Sequence, residues 1–562
     1  MSTPLTPIDL ITSQNDSQFP YNRSRPRMPC VVQLGFSGSR SLYDVENRTL
    51  EDIARIDAEI EAALRQRLRA LRHELELKPD HFLAGVSQIA IGGDMHFTRC
   101  CGSEGGAGIA MQRILLPQPV DCYLAASGSR GPDFSPAQRA AALELLQRPA
   151  IVHVQCISNA ASRAERFEDA SHAILSMSDV AVCLLRKNAP SKRGGTVDFL
   201  ELARRTQKPT LVMLVEVSAT GAIVCSSTWH DREHFTLPGL PGFALHVSPK
   251  PEWSAESLPS ATAYCETLKE YFSRAAQDGR GLFERMARVV LHTHLGATVC
   301  AAMALALAVV SGEWVFWILV ALLGTELALL SWGYRTHHAL DHDQIVRVWA
   351  RARLPAEIAR SVIALGNVHV YLGHLAQMRI LPVPNLDRLL GTISWLHLGA
   401  TLKHAETDPE KLRHDYVRNR IDNQLEFYRK RSAEAKASLL FARRRFKLWW
   451  TLGFGSTALK LAEVLLETVL HAPGWLAAAL GVFAVVFPVL AVGVLSWASA
   501  MDLEANASEF AEMVGFLEKQ KAAFQEITTI RPLRRAMLDT EAGILAEVSQ
   551  WYVRRSYRSG PT

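Results

Sequence analysis

The sequence predicts an α/β parallel-sheet domain followed by an all-α membrane domain with four transmembrane helices and long cytoplasmic helices. Three observations predict it. Residues 30–215 alternate short Val-, Ile- and Leu-rich runs with polar amphipathic stretches, the change of period expected of strand–helix–strand units. Four apolar segments, 289–310, 314–334, 448–470 and 475–497, are of the length that crosses about 30 Å of hydrocarbon. The stretches between and after the two pairs, 338–447 and 500–550, are charged and helical in pattern.

Composition bounds the rest. A chain of 562 residues exceeds one ordinary domain. Its net charge of +5 is small, and the basic residues gather beside the apolar segments, which reads as membrane topology and not as a nucleic-acid footprint. Nine cysteines, without regular spacing, suit a reducing compartment better than a disulfide framework. His96, Cys100 and Cys101 have no second ligand pair at a regular spacing, so no metal is expected. Residues 1–29 begin polar and Pro-rich, and are expected to be a disordered lead-in and not a signal peptide.

In the α/β part, residues 30–215, the run from Cys30 to Phe36 reads as a strand ending in Ser37-Gly38-Ser39-Arg40, before a helix over about 47–77. A small-residue turn between strand and helix points backbone N–H groups at an anion, and Arg40 adds a fixed charge. A second strand is expected over Ser87–Ile91, running into Gly92-Gly93-Asp94, where Asp94 suits either a ribose hydroxyl or a helix cap. Arg113 to Pro117 reads as a third strand, Ser135-Pro136 as a capped helix start after Asp133-Phe134, and Ala150 to Gln155 as a fourth strand. The clearest unit follows: strand Val180–Leu185, a polar loop to Gly194-Gly195-Thr196, a helix carrying Asp198 and Glu201, and strand Thr210–Val215. Glycines there allow close approach to a phosphate or ribose, and Thr196 can cap the helix. Residues 216–281, with prolines at 238, 241, 249, 251 and 259, read as an irregular cap and connector containing a helix over 261–276.

The order of these pieces resembles SLOG-type domains, the Rossmann-like relatives of DNA-processing protein A and of the LOG nucleotide hydrolases. It is carried by Gly35-Phe-Ser-Gly-Ser-Arg40, Gly92-Gly-Asp94, the Leu-Pro117 strand end, Asp133-Phe134, Ser178-Asp179 and Arg193-Gly-Gly-Thr196 with Glu201. The resemblance implies a nucleotide pocket built by Ser37, Gly38, Ser39, Arg40, Gly92, Gly93, Asp94, Gly194, Gly195, Thr196 and Glu201. Two departures bear on catalysis more than on binding: Met95 follows Asp94 where relatives often have Arg, and the single Gly-Gly-Thr is shorter than the hydrolase motif.

In the membrane part, hairpins are expected over 282–336 and 448–498, separated by a cytoplasmic helical region over 337–447 with a break at Pro382 and Pro384, and followed by cytoplasmic helices over 499–562. Tight turns at Ser311-Gly312-Glu313 and at 471–474 lack Lys and Arg, whereas Arg285, Arg288, Arg335, Arg443, Arg444, Arg445 and Lys447 flank the long segments. Both hairpins therefore enter from the cytoplasm, and both termini lie inside. Ser456, Lys460, Glu463 and Glu467 fall at spacings of four, three and four, on one helix face, with Glu326 a further candidate partner for Lys460. Ionisable groups at membrane depth face a bundle interior or water. Three readings stay open for this face: a pore lining repeated around a homo-oligomer, a buried ion-pair seam, or an interfacial helix. A hairpin followed by cytoplasmic helices is similar to SLATT modules, which implies a bacterial inner-membrane effector that permeabilises the bilayer on a cytosolic nucleotide signal, in antiviral defence.

The expected function is a membrane-bound sensor and effector that binds a small nucleotide messenger without a resident cofactor. The alternative is a membrane-anchored enzyme cleaving a nucleotide N-glycosidic bond through Glu201 or Asp198. A transporter or scaffold is a third class, and the internal repeats it calls for are not evident.

Overall fold

A computed structural model describes residues 30–558 apart from 46–47, 78–80, 125–133, 219, 237–257, 309–311, 343–344, 367, 369–371, 382, 384–385, 402–407 and 466–473. The polar N-terminal lead-in, Asp133, the prolines at 238–251, Ser311, Pro382, Pro384, Glu467 and the turn at 471–473 thus lie outside the described residues. The chain divides into two compact units, one of Ser24–Thr267 with Gly366–Glu406, the other of Leu268–Leu365 with Thr407–Thr562.

The strands are β1 (Cys30–Gly38), β2 (His81–Ser87), β3 (Ile109–Leu116), β4 (Ile151–Cys156), β5 (Val180–Arg186), β6 (Thr210–Val217) and β7 (Ile223–His230). The principal helices are α1 (Leu50–Glu74), α2 (Gly93–Cys100), α3 (Pro136–Leu146), α4 (Arg163–Met177), α5 (Thr196–Arg205), α6 (Ala261–Leu307), α7 (Glu313–His342), α8 (Ile345–Ala364), α9 (Leu386–Thr401), α10 (Pro409–Tyr416), α11 (Asn423–Leu465), α12 (Gly474–Ala500), α13 (Leu503–Glu526) and α14 (Ile530–Arg558).

The first unit is a Rossmann-like α/β fold. Its seven strands lie in the order β4-β3-β2-β1-β5-β6-β7, all parallel except β7 at the edge. Val32, Leu34 and Phe36 of β1 and Val180, Val182 and Leu184 of β5 share one core with Ile56, Ile60, Leu64, Leu68 and Leu71 of α1. The three- and four-residue spacing of those α1 positions is what makes the helix amphipathic, and each such side chain contributes about 1.5–3 kcal/mol by leaving water. Thr49 caps α1 by accepting from the Asp52 N–H, and Ser135 and Gln138 form a reciprocal capping box with Pro136 at the first position of α3.

Three elements depart from the sequence expectation. The second strand is His81–Ser87, and 88–91 is loop; a central strand buried on both faces has no alternation to mark its limits. Residues 223–230, expected to be irregular, form the edge strand β7, antiparallel to β6, where solvent on one side tolerates Ser226, Ser227 and Thr228. Third, residues 366–406, expected within the cytoplasmic helical region, group with the sheet. The reason lies in the register. β1 starts four residues before its β5 neighbour, since Leu34 is the first residue opposite Val180. The Val31 N–H instead donates to Thr392 Oγ1 of α9 (3.1 Å), and the Gln33 N–H to Asp179 Oδ2 (2.8 Å). Trp395 Nε1 donates to Gln33 Oε1 (3.1 Å), and Arg388 pairs with Asp179, whose carboxyl burial pushes upward and Arg388 holds down. Helix α9 thus completes the amino end of β1.

The second unit is helical. The helix expected over 261–276 and the first apolar segment are one continuous α6. Among the described residues three stretches are long and apolar enough to cross a membrane: Ala261–Leu307, Trp314–Leu340 and Gly474–Glu526. Only 6 % of the apolar window in the second is buried, as expected of surface meant for lipid. The apolar end of α11 is not among them; the described part stops at Leu465 and carries Lys460 and Glu463. Helices α11 and α12 nevertheless pack as a pair, with Trp449 stacked on Phe487 at 5.7 Å between ring centroids. A Cβ at Gly453 would lie 2.8 Å from the Pro488 ring, so only glycine permits this approach. Below the pair, Arg420 and Glu541 form a buried two-pronged ion pair (2.8 and 2.8 Å), joined by the Tyr416 hydroxyl, which donates to Glu541 (2.9 Å). Arg420 lies on a π-helical turn, Val417–Asp422, between α10 and α11.

Candidate functional site

The chain runs outward from β1 to β4 and then returns to lay β5 against the free side of β1. This reversal makes β1/β5 the topological switch point, and ligands of open α/β sheets bind outside the strand carboxyl ends there. The expected pocket residues other than Glu201 lie at it. The Ser39 N–H donates to Leu184 O of β5 (2.8 Å), and the Ser37 hydroxyl donates to Thr196 Oγ1 at the start of α5 (3.2 Å). Helix α5 has Gly195 at its cap and no side-chain cap, so its first-turn N–H groups are not taken by a side chain.

The second loop is joined to the first through its backbone. Gly93 N–H donates to Ser39 O (3.0 Å), and a Cβ on Gly38 would lie 2.5 Å from Gly93 Cα, so neither loop accepts a larger residue at this crossing. Asp94 binds both loops: Oδ1 accepts from the Gly38 N–H (2.8 Å) and Oδ2 from the Ala90 N–H (3.2 Å). Burial pushes its carboxyl up to about 7, against those two N–H groups and Arg40, which hold it down. Asp94 therefore shapes the crevice from beneath. Arg40 is exposed beside it.

The two carboxylates considered for catalysis are placed otherwise. Asp198 Oδ2 accepts from the Gly194 N–H (2.8 Å), closing the Gly-Gly-Thr loop on itself. Glu201 is exposed and leans along α5 to Arg205 (3.5 Å). One pair escaped the sequence reading: Arg186, at the end of β5, makes two bonds to Asp44 (2.7 and 2.6 Å) and ties the β1 and β5 loops across the switch point. Nothing in the spacing of residues 142 apart signals it. On the other side of the sheet, His96 is held by Glu61 (2.9 Å) and Asp57 (3.5 Å) of α1, and burial pushes the neighbouring Cys100 thiol up to about 12. What the crevice offers is N–H donors, hydroxyls and a cation, a set suited to a phosphate-bearing ligand.

In the helical unit, Lys460 Nζ and Glu463 Oε2 pair at 2.7 Å on one face of α11, with Ser456 buried one turn before. Glu326 of α7 makes no ion pair among the described residues. Residues 416–551 match the family described as SMODS and SLOG-associating 2TM effector domain 1. This SLATT domain spans the Arg420–Glu541 pair, the α11–α12 pair and most of α14, so it coincides with the second expected hairpin and its helical base, not with the first. No curated protein and no solved structure matches the chain.

Proposed function

We propose that the chain is a membrane-bound sensor and effector: the α/β unit, a SLOG-type domain, binds a nucleotide-derived messenger, and the SLATT domain permeabilises the membrane in bacterial antiviral defence. The observation that carries it is the presence, in one chain, of a 2TM effector domain and a sheet whose switch point gathers Ser37, Arg40, Gly194, Gly195 and Thr196. The family description also names SLOG as its associate. The same match supports a fourth span beside the three candidate ones. A 2TM domain over 416–551 needs a partner for α12, and the apolar end of α11 is the other apolar stretch within those bounds. The basic residues at 285–288, 335 and 443–447 then set both hairpins to enter from the cytoplasm.

The mechanism is differential binding. The messenger must bind the open arrangement more tightly than the closed one, or it shifts nothing. Lys460 and Glu463 neutralise each other in the closed state; opening separates them toward water, in a homo-oligomer that repeats the face around a path. N-glycosidic cleavage draws no support from the site, because Asp198 is spent on its own loop and Glu201 points to Arg205.

The test is dye release from liposomes carrying the full chain, challenged with NAD, ADP-ribose forms and cyclic oligonucleotides. One class of nucleotide is expected to trigger release and to be recovered intact. Replacing Lys460, Glu463 and Glu467 together with Leu is expected to return release to the protein-free rate while ligand still raises the melting temperature. Unchanged release in that variant sinks the gating face, and consumption of the nucleotide sinks the receptor.

A further inference from the structure

The helical unit holds a cavity of about 1340 Å3 that none of the preceding functions uses. Seven arginines and three glutamates line it, with no lysine or aspartate, so its wall carries a formal excess of positive charge, part of it offset by pairs such as Arg280–Glu284, Arg360–Glu357 and Arg431–Glu434. The charge is graded along each lining helix. On α6 the charged wall residues run Arg280, Glu284 and Arg288, before Leu291 and Leu295; on α11 they run Arg431, Glu434 and Arg445, before Trp449. The third wall, α12, offers Leu490, Gly493 and Trp497. One end is thus a cluster of guanidinium groups and the other is apolar helix of the membrane-crossing segments.

The arginines at the boundary are not all matched. Among the described residues Arg288 donates only to the Glu284 carbonyl of its own helix (3.2 Å), and Arg445 has no carboxylate partner and lies over the Phe441 ring (5.1 Å). Guanidinium forks set beside indole rings at the edge of the hydrocarbon bind phosphate in two-pronged fashion, while the apolar end favours chains over water. A soluble nucleotide satisfies only the first condition. An amphipathic anion satisfies both.

We propose that this cavity is a binding site for an anionic glycerophospholipid, whose phosphate sits between Arg288 and Arg445 and whose acyl chains lie along Leu291, Leu295 and Leu490. The proposal goes beyond messenger sensing and rests only on α6 and α12 being membrane spans. It makes the effector dependent on lipid composition: the ligand bridges α6, α11 and α12, so it stabilises whichever arrangement of the two hairpins holds those helices together.

The test uses the full chain in nanodiscs of phosphatidylcholine with or without phosphatidylglycerol, followed by native mass spectrometry after delipidation. The chain is expected to retain phosphatidylglycerol in preference to phosphatidylcholine. The double variant Arg288→Gln, Arg445→Gln is expected to lose that preference by about tenfold or more, as the loss of charge-assisted bonds requires. The same two positions changed to Lys are expected to regain part of it. Ala437→Trp, which fills the cavity without altering charge, is expected to lower retention too, and covers the case in which the glutamine variant does not fold. Equal retention of both lipids by the unaltered chain, or full retention by both the glutamine and the Trp variants, overturns the proposal. Displacement of the lipid by inorganic pyrophosphate at low concentration overturns it as well, by showing a soluble-anion site. A chain that fails to enter nanodiscs at all instead refutes the membrane assignment on which the proposal rests.

Discussion

Asp94 shows how a single residue can be read two ways and do a third thing. A carboxylate after Gly-Gly at a strand end suits a ribose or a helix cap; in the fold its two oxygens instead join the N–H groups of Gly38 and Ala90. Its folded pKa of about 7 stands above the ordinary 3.8, so the folded chain binds a proton that the unfolded chain has released. Stability from this group is therefore full below about pH 4 and is lost as pH rises through about 7. Asp94→Asn keeps one acceptor and forfeits the other, so at pH 5 it is expected to cost about 1 kcal/mol. Between pH 5 and 8 the variant's melting temperature is expected to change less than that of the unaltered chain, measured by thermal unfolding in detergent. Parallel curves for the two proteins refute the assignment.

At the scale of elements, the base of the SLATT domain is held by one buried pair between α14 and the π-helical turn before α11. Glu541 is fully buried and accepts from Arg420 and Tyr416. Removing one partner leaves the other charged and dry, so Glu541→Ala is expected to cost about 3–5 kcal/mol. The double change Arg420→Met, Glu541→Leu is expected to cost less than the single one, because no uncompensated charge remains. Chemical unfolding of the three proteins decides it, and a double variant weaker than Glu541→Ala goes against the ion pair as the source. Sequence pattern located these helices well, since their apolar and charged stripes are local. It did not find the pairing of residues 121 apart, which exists only when α14 is laid against the turn.

For the whole molecule, the consequence of α9 is that the α/β unit is not one stretch of chain. Residues 24–267 lack the helix that buries Leu389, Leu390, Ile393 and Leu396, each of which is worth about 1.5–3 kcal/mol. A soluble fragment ending near residue 267 or 280 is expected to aggregate or melt well below a version in which residues 366–406 are joined to it by a flexible linker. Light scattering and melting temperature compare the two, and equal behaviour refutes the need for α9. The chain passes between the two units at 267, 365 and 406.

The sequence by itself determined the alternation of strand and helix over residues 30–215, the Gly-Gly-Thr loop, the apolar segments and the resemblance that the family match on 416–551 in part supports. These are carried by periodicity and by backbone-permissive residues, which act over a few positions. Only the tertiary structure decided that Ser37 meets Thr196, that Asp94 ties its loop to that of Gly38 while Asp198 closes its own, that β7 closes the sheet edge, and that α9 completes β1 from more than three hundred residues away. The physical reason is common to all of them: an N–H or a carboxylate is satisfied by whatever the fold brings within 3 Å or so, and that neighbour leaves no mark on the residues beside it in the chain.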